Sequence, residues 1–319
     1  MTSISVVVPT LGGPRLARVL RSLAEQTAAH EVIVVDDGSP GGVEIAAGGV
    51  DVVRMETNVG FSRACNAAAE RAEGDVLVLL NDDCVVEADF LERIAAPLDP
   101  AGGVAMVASV MRDWAEPELI DSAGMELDRT LLVWDYLNGE PLSILDRGVA
   151  DPVGPSAAAA AFDRAAFLAA DGFDEALFAY WEDVDLVLRL RRDGMRCALA
   201  ADARGTHEHS ASFGSGSVRK NYLTGYGRGY VLRKWGVLSA RRLPAVVARD
   251  APVCVGQALI DRNLGGVRGR FAGYRAAEPY APYPDDLPTG QAPGALDTLR
   301  RRLARRGRLR GRPPSSGTQ

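Results

Sequence analysis

The chain is poor in the residues that staple small folds. It has four cysteines in 319 residues, Cys65, Cys84, Cys197 and Cys254, and no CxxC pair among them. That excludes a disulfide scaffold and a zinc knuckle, and it is the usage expected of a reduced, intracellular protein. No run of about 18 apolar residues occurs, so no membrane span is expected. The start, MTSISVVVPT, lacks a basic stretch leading into a long apolar one, so no signal peptide is expected. A GxGxxG is missing after the first apolar run, which counts against a dinucleotide-binding domain. Lysine is nearly absent: Lys220 and Lys234 are the only two. What is present, 47% hydrophobic and 24% charged residues, excludes disorder and collagen-like repeats for the bulk of the chain and supplies ample material for a core.

A net charge of -6 conceals a split. Residues 1–215 carry 16 basic against 36 acidic side chains, whereas residues 216–319 carry 20 basic against 6 acidic. A basic segment on an acidic domain is either a solvated face or a surface for anionic partners such as a membrane or a phosphorylated lipid. Nucleic acid is not an expected partner, since no nucleic-acid module is recognisable.

Apolar runs and helical spacing alternate along the first third. Ile4 to Val8 reads as a buried strand ended by Pro9, and Leu16, Val19, Leu20 and Leu23 follow at helical spacing. Further strands are expected over 31–35, 50–55 and 75–80, with an Ala-rich helix over 62–72. This alternation argues an α/β, mostly parallel sheet with flanking helices, in which ligands bind beyond the carboxyl ends of the strands. Later, 104–110 and 195–200 read as strands, 163–170 and 183–192 as helices, and 219–275 as a basic helical region. Residues 279–293 are Pro-rich and linker-like, and Leu299 to Arg312 carries eight arginines among a few leucines.

Polar clusters sit at the expected strand ends. Asn81-Asp82-Asp83 suits a divalent cation with oxygen ligands, and equally suits a turn that caps the next helix. Trp181-Glu182-Asp183-Val184-Asp185 opens a helix; its acids serve either the helix N-terminus or, beside Tyr180 and Trp181, a shielded general base against a sugar-stacking surface. Asp36 and Asp37 end a strand where acids accept hydrogen bonds from a ribose or base, or simply form a turn. His207 and His209 flank Glu208 past another strand, and the spacing alone does not bring them to the acids.

Taken in order, Val7-Val8-Pro9-Thr10, Val35-Asp36-Asp37-Gly38-Ser39, Asn58-Val59-Gly60-Phe61-Ser62, Asn66, Asn81-Asp82-Asp83, Gly172-Phe173-Asp174-Glu175, Trp181-Glu182-Asp183-Val184-Asp185 and His207 resemble the inverting family-2 glycosyltransferases with a GT-A fold. The resemblance covers about residues 3–215 and looks most like bacterial rhamnosyltransferase-type enzymes of cell-wall and polysaccharide synthesis. It implies a catalytic domain over 1–215, with a nucleotide-sugar-binding half over 1–110 and an acceptor-binding half over 111–215. A basic helical region over 216–278 and a linker and tail over 279–319 would follow.

The resemblance further implies roles. Asp183 would be the general base, with Glu182 beside it the second candidate for that role or the group that orients the acceptor. Asp83 would hold a divalent metal, Mg or Mn, completed by His207, which lies 24 residues past Asp183. Pro9, Thr10, Asp36, Asp37, Gly60, Asn66 and Asp82 would bind the nucleotide sugar. Arg63 would replace an arginine that relatives carry where this chain has Cys65, or that contact would have no counterpart here. Ser156, Tyr180 and Trp181 would line the sugar or acceptor site. The donor would be a dTDP- or UDP-sugar and the acceptor a hydroxyl, on a lipid-linked or polysaccharide glycan or on a soluble aglycone. The enzyme would be cytoplasmic, with a peripheral membrane foothold through its basic region. Asn81 departs from a DXD pattern, which predicts modest metal affinity. A sugar-phosphate nucleotidyltransferase is disfavoured because no lysine lies in 1–219. A non-catalytic sugar-nucleotide binder is disfavoured because Asp83, Asp183 and His207 are all present.

Overall fold

A computed structural model describes residues 3–45, 48–208, 216–283, 287 and 289–290. The β-branched opening run forms β1 (Ile4–Thr10), buried along nearly its whole length, so the strand continues through Pro9 and Thr10. Pro14 starts α1 (Pro14–Ala24), whose inward stripe of Leu16, Val19 and Leu23 matches the helical spacing. Then come β2 (Glu31–Asp36), β3 (Val50–Arg54), α2 (Phe61–Arg71), β4 (Val76–Leu80), β5 (Cys84–Val86) and α3 (Phe90–Ala95). The middle of the chain gives β6 (Val104–Asp113), β7 (Ile120–Ser122), β8 (Met125–Leu127), β9 (Val133–Asp135), a 3-10 turn over Leu142–Arg147, β10 (Ala159–Asp163) and α4 (Arg164–Ala169). It closes with α5 (Glu182–Arg192), β11 (Arg196–His207), α6 (Val218–Lys234), α7 (Leu243–Leu259) and α8 (Gly265–Ala276).

The main sheet runs β3-β2-β1-β4-β10-β6-β11-β5, with β7 beside β6. Strands β3, β2, β1 and β4 are parallel, β10 is antiparallel to both its neighbours, and β11 is parallel to β6. Alternating residues of β1, β2 and β4 feed two apolar cores, one on each face. That is the burial signature of a sheet covered on both sides. The expected strand over 195–200 is the first half of β11, which continues to His207 past a register shift between Leu199 and Arg204.

The C-terminal helices are keyed into this body. Gly225 and Gly229 of α6 lie against Gly269 and Gly273 of α8 so tightly that a Cβ at any of them would meet backbone oxygen at 1.9–2.2 Å. The charge split meets in a buried cluster at the end of α6. Lys234 Nζ reaches Asp174 at 2.6 Å and Asp185 at 2.9 Å, and Trp235 Nε1 donates to Asp185 at 3.0 Å. Residues 279–283, expected as linker, are held at the C-terminal end of α6. Tyr280 and Tyr283 donate backbone N–H groups to Lys234 and Trp235. His209 and the arginine-rich stretch over 299–312 fall outside the described residues.

Candidate active site

One cleft, of about 320 Å³, gathers the ends of β1, β2 and β4 on one wall and the segment before α5 on the other. Pro9, Thr10, Asp37, Gly60, Asp82, Asp83, Ser156, Tyr180, Trp181, Glu182 and Asp183 all line it. On the strand side, Thr10 donates its hydroxyl to Asp82 at 2.5 Å and accepts from the Gly12 N–H. Asp37 accepts from the N–H groups of Val59 (2.6 Å) and Gly60 (3.1 Å), which ties the 58–60 loop to the end of β2. Gly60 has φ +93° and a Cβ there would lie 2.4 Å from the Phe178 carbonyl oxygen, so only glycine lets the two walls close. Burial raises the pKa of both Asp37 and Asp82, opposed at Asp37 by the two N–H groups and at Asp82 by Thr10.

Topology assembles the candidate metal ligands. β11 runs antiparallel to β5 with His207 opposite Cys84, and Glu208 N–H donates to the Asp83 carbonyl. The His207 imidazole thereby stands 3.4 Å from Asp83 Oδ1, while its Nδ1 meets Asp121 Oδ2 at 2.8 Å. Burial disfavours the imidazolium, but the Asp121 and Asp83 carboxylates outweigh it and push His207 up to about 10. Among the described residues Asp83 Oδ1 is buried and has no partner closer than the His207 imidazole at 3.4 Å, which leaves it able to take a cation. Asp83 and His207 therefore fit a divalent ion, with a carboxylate and an imidazole as donors. Cys84 is the third group within reach, but burial keeps its thiol protonated and it donates to the Ala158 carbonyl.

The opposite wall carries the second acidic pair. Tyr180 and Trp181 both adopt left-handed conformations, φ 71° and 79°, a strain of about 1 kcal/mol or more each. The resulting kink aims the first residues of α5 into the cleft. Asp183 accepts from Val184 N–H at 2.8 Å and Ala157 N–H at 3.3 Å. Burial nonetheless raises it to about 6, with Asp135 adding to the shift. Glu182 is raised well above the usual carboxylate range by burial and by Asp183, and its Oε2 is buried without a hydrogen bond. Of two adjacent carboxyls, Asp183 is raised to about 6 and Glu182 is pushed further toward its neutral form.

Three residues expected at the donor lie outside the cleft lining. Asp36 is turned from the cleft and holds the loop beyond β2, accepting from Ser39 and Val43 N–H and pairing with Arg54 at 2.9 Å. Arg63 lies on the outer side of α2, paired with Glu175 at 2.8 Å, so it does not stand in for an arginine at Cys65, whose side chain is fully buried. Asn66 clamps the backbone N–H and carbonyl of Phe173. Each is a strut whose polarity is spent on loops. Conversely, sequence reasoning missed Asp121 and Asp135. Both lie in the irregular stretch before β10, where no periodicity singles out an acid.

Residues 5–137 match the family model for Glycosyl transferase family 2. This fold, with its carboxylate-lined cleft beyond the strand ends, is the GT-A architecture. An uncharacterized glycosyltransferase of Bacillus subtilis, YwdF, is 30% identical over 114 residues, which cover 34% of this chain and 42% of that protein. An uncharacterized glycosyltransferase of Haemophilus influenzae is 33% identical over 96 residues, covering 28% of this chain and 33% of that one. The chain thus spans less than half the length of these relatives. Among solved structures, GalNAc-T7 with UDP, GalNAc and Mn2+ superposes with a TM-score of 0.59 at 17% identity, over 86% of this chain and 55% of that one. S. aureus TarS gives 0.51 at 16% identity, over 84% and 55%. At these identities the likeness establishes the fold.

Proposed function

We propose that the chain is a metal-dependent, inverting glycosyltransferase that moves a sugar from a nucleoside diphosphate to a hydroxyl acceptor. The observation that carries this reading is one cleft with Asp83, backed by the His207 imidazole at 3.4 Å, on one wall and a carboxylate raised to about 6, Asp183, on the other. A group ionising there is a competent base at neutral pH.

Asp183 takes the proton of the acceptor hydroxyl. The acceptor oxygen attacks the anomeric carbon on the face opposite the diphosphate, the bond from that carbon to the diphosphate oxygen breaks, and its electron pair leaves with the nucleoside diphosphate. Configuration inverts in this single displacement. Glu182, which burial and Asp183 push toward its neutral form, orients the acceptor by a hydrogen bond, and Tyr180 and Trp181 offer stacking faces to a sugar ring. Pro9, Thr10, Asp37, Gly60 and Asp82 form the donor wall, and Ser156 lies at its junction with the acceptor side. A divalent cation, Mg or Mn, held by Asp83 and His207 supplies neutralisation of the charge that develops on the diphosphate. Support from relatives is of the same kind: the GalNAc-T7 structure holds UDP, a sugar and Mn2+. The finer assignment rests on the ordered motifs: a dTDP- or UDP-sugar with rhamnose leading, and a cell-wall, polysaccharide or lipid-linked acceptor.

The test is a donor screen. Protein with Mg or Mn is incubated with UDP-, dTDP- and GDP-sugars, with and without EDTA, and nucleoside diphosphate release is followed beside Asp183→Asn and Asp83→Ala. Metal-dependent release from one donor, lost in both variants, is the expected result. Neither release nor thermal-shift binding of any donor would move the chain to a non-catalytic role.

A further inference from the structure

Helix α7 is built inside out. Its two charges turn toward the body: Arg249 pairs with Asp128 at 3.2 Å, and Asp250 with Arg228 at 3.1 Å and Arg270 at 3.2 Å. Leu243, Val247, Ala251, Val255 and Leu259, recurring every fourth residue, face outward, with Val247 and Val255 each 54% and Leu259 74% exposed. Only Val246 and Gln257 of its 17 residues are buried. A helix this apolar on its outer face, over about 26 Å of length, is not made for water. Exposed arginines bracket it, Arg241 before its start and Arg262 after its end. The neighbouring α8 continues the pattern with Arg268, Phe271 (67% exposed) and Arg275 on its outer side.

We propose that the outward face of α7 seats the protein on an anionic membrane surface, with its apolar side chains at the headgroup boundary and the arginines on lipid phosphates. No helix among the described residues is long and apolar enough to cross a membrane, so the contact is peripheral. Charge selects the bilayer over a second copy, because face-to-face pairing of α7 would set like-charged arginines together. Area agrees: a 17-residue helix face of about 10 Å width buries about 500 Å² in a symmetric pair, well short of the about 1,200 Å² of a stable interface. An interfacial helix needs no such partner area. The face is also coupled to the cleft, since Arg228, the partner of Asp250, lies over the ring of Trp181 in the cleft wall at 5.5 Å. If the sugar-transfer reading holds, this coupling suits an acceptor hydroxyl carried by a lipid.

Vesicle co-sedimentation tests the proposal with no donor present, so its outcome is separate from that of the activity screen. The full chain should bind phosphatidylcholine vesicles only when phosphatidylglycerol is included, and binding should weaken with salt. Combining Val247→Asp with Leu259→Asp should reduce binding about ten-fold or more, and Arg241→Glu with Arg262→Glu should reduce it several-fold, both with unchanged thermal melting. Wild-type binding by these variants, or equal binding to neutral vesicles, overturns the proposal. So does a wild-type dimer in light scattering that the aspartate variant converts to monomer, which would assign the face to a second copy.

Discussion

Two pairs of adjacent acids face each other across the cleft, and their surroundings make them different reagents. Asp82 and Asp83 end a parallel strand, where a hydroxyl from β1 and an imidazole from β11 compensate them. Glu182 and Asp183 open a helix behind two kinked aromatic residues, where among the described residues only backbone N–H groups donate to Asp183 and Glu182 Oε2 has no hydrogen bond. The compensated pair suits a charge held fixed for a ligand. The starved pair suits a proton that must move. Residue type is nearly the same in both, so environment does the sorting.

The largest expected effect breaks the starved pair. Asp183→Asn should lower kcat by about 10²–10⁴-fold, the range of a lost general base, with donor binding retained in a thermal-shift titration. The pH profile of kcat/KM for the wild type should rise through about pH 6 as Asp183 ionises. Stability runs the other way. The folded pKa lies above the ordinary 3.8, so the native state holds this proton more tightly than the unfolded chain. The group's contribution is full below about pH 4 and is lost as pH rises through 6. Asp183→Asn should therefore melt higher than wild type at pH 8 and gain less at pH 5, measured by scanning calorimetry.

Breaking the compensated pair should cost less. Asp83→Ala should lower turnover by about 10²–10³-fold, corresponding to several kcal/mol of charge stabilisation, and should abolish the response to Mn. Isothermal titration with Mn alone reads the loss without turnover. Full Mn affinity in this variant would remove Asp83 from the ligand set.

Asp185, two residues past the base, sharpens the contrast. It is fully buried where Asp183 lines the cleft, and Arg189, Lys234 and Trp235 all donate to it. Lys234→Met should destabilise the fold by about 3–5 kcal/mol in urea, because Asp185 and Asp174 lose their shared cation. Folded protein at low temperature should keep near-normal turnover. Loss of kcat without loss of stability would mean that Lys234 acts on the chemistry.

The parallel half of the fold was legible because buried parallel strands read as β-branched runs and their ends carry polar clusters at fixed places. Pro9, Thr10, Asp37, Asp82 and Asp83 follow from that logic, and the structure brings them to one cleft. Asp36 falls outside the cleft lining although it shares a strand end with Asp37, because one residue of offset on a strand reverses which side a carboxylate faces. Arg63 and Asn66 were assigned through resemblance, and helix α2 spends both on the 173–175 segment. The His207–Asp83 contact depends on β11 pairing with β5, a long-range register that spacing does not encode. Asp121 was invisible for the same reason: its partner lies 86 residues away.

The finest test separates the two pairs through one hydroxyl. Thr10→Val keeps the shape of the β1 end and removes the hydroxyl that, with the nearby Arg15 charge, lowers the proton affinity of Asp82, already raised by burial. The Asp82 carboxylate would then protonate more readily, and a neutral Asp82 accepts less strongly from a ribose or sugar hydroxyl. One hydrogen bond to a charged group is worth about 1.5–3 kcal/mol gross, and rearrangement around the exposed side of the cleft reduces this to a several-fold rise in donor KM. Since Asp183 lies across the cleft with its own N–H donors, kcat and the limb near pH 6 should stay in place. A shift of that limb in Thr10→Val would mean that the two acidic pairs titrate as one unit rather than as separate reagents.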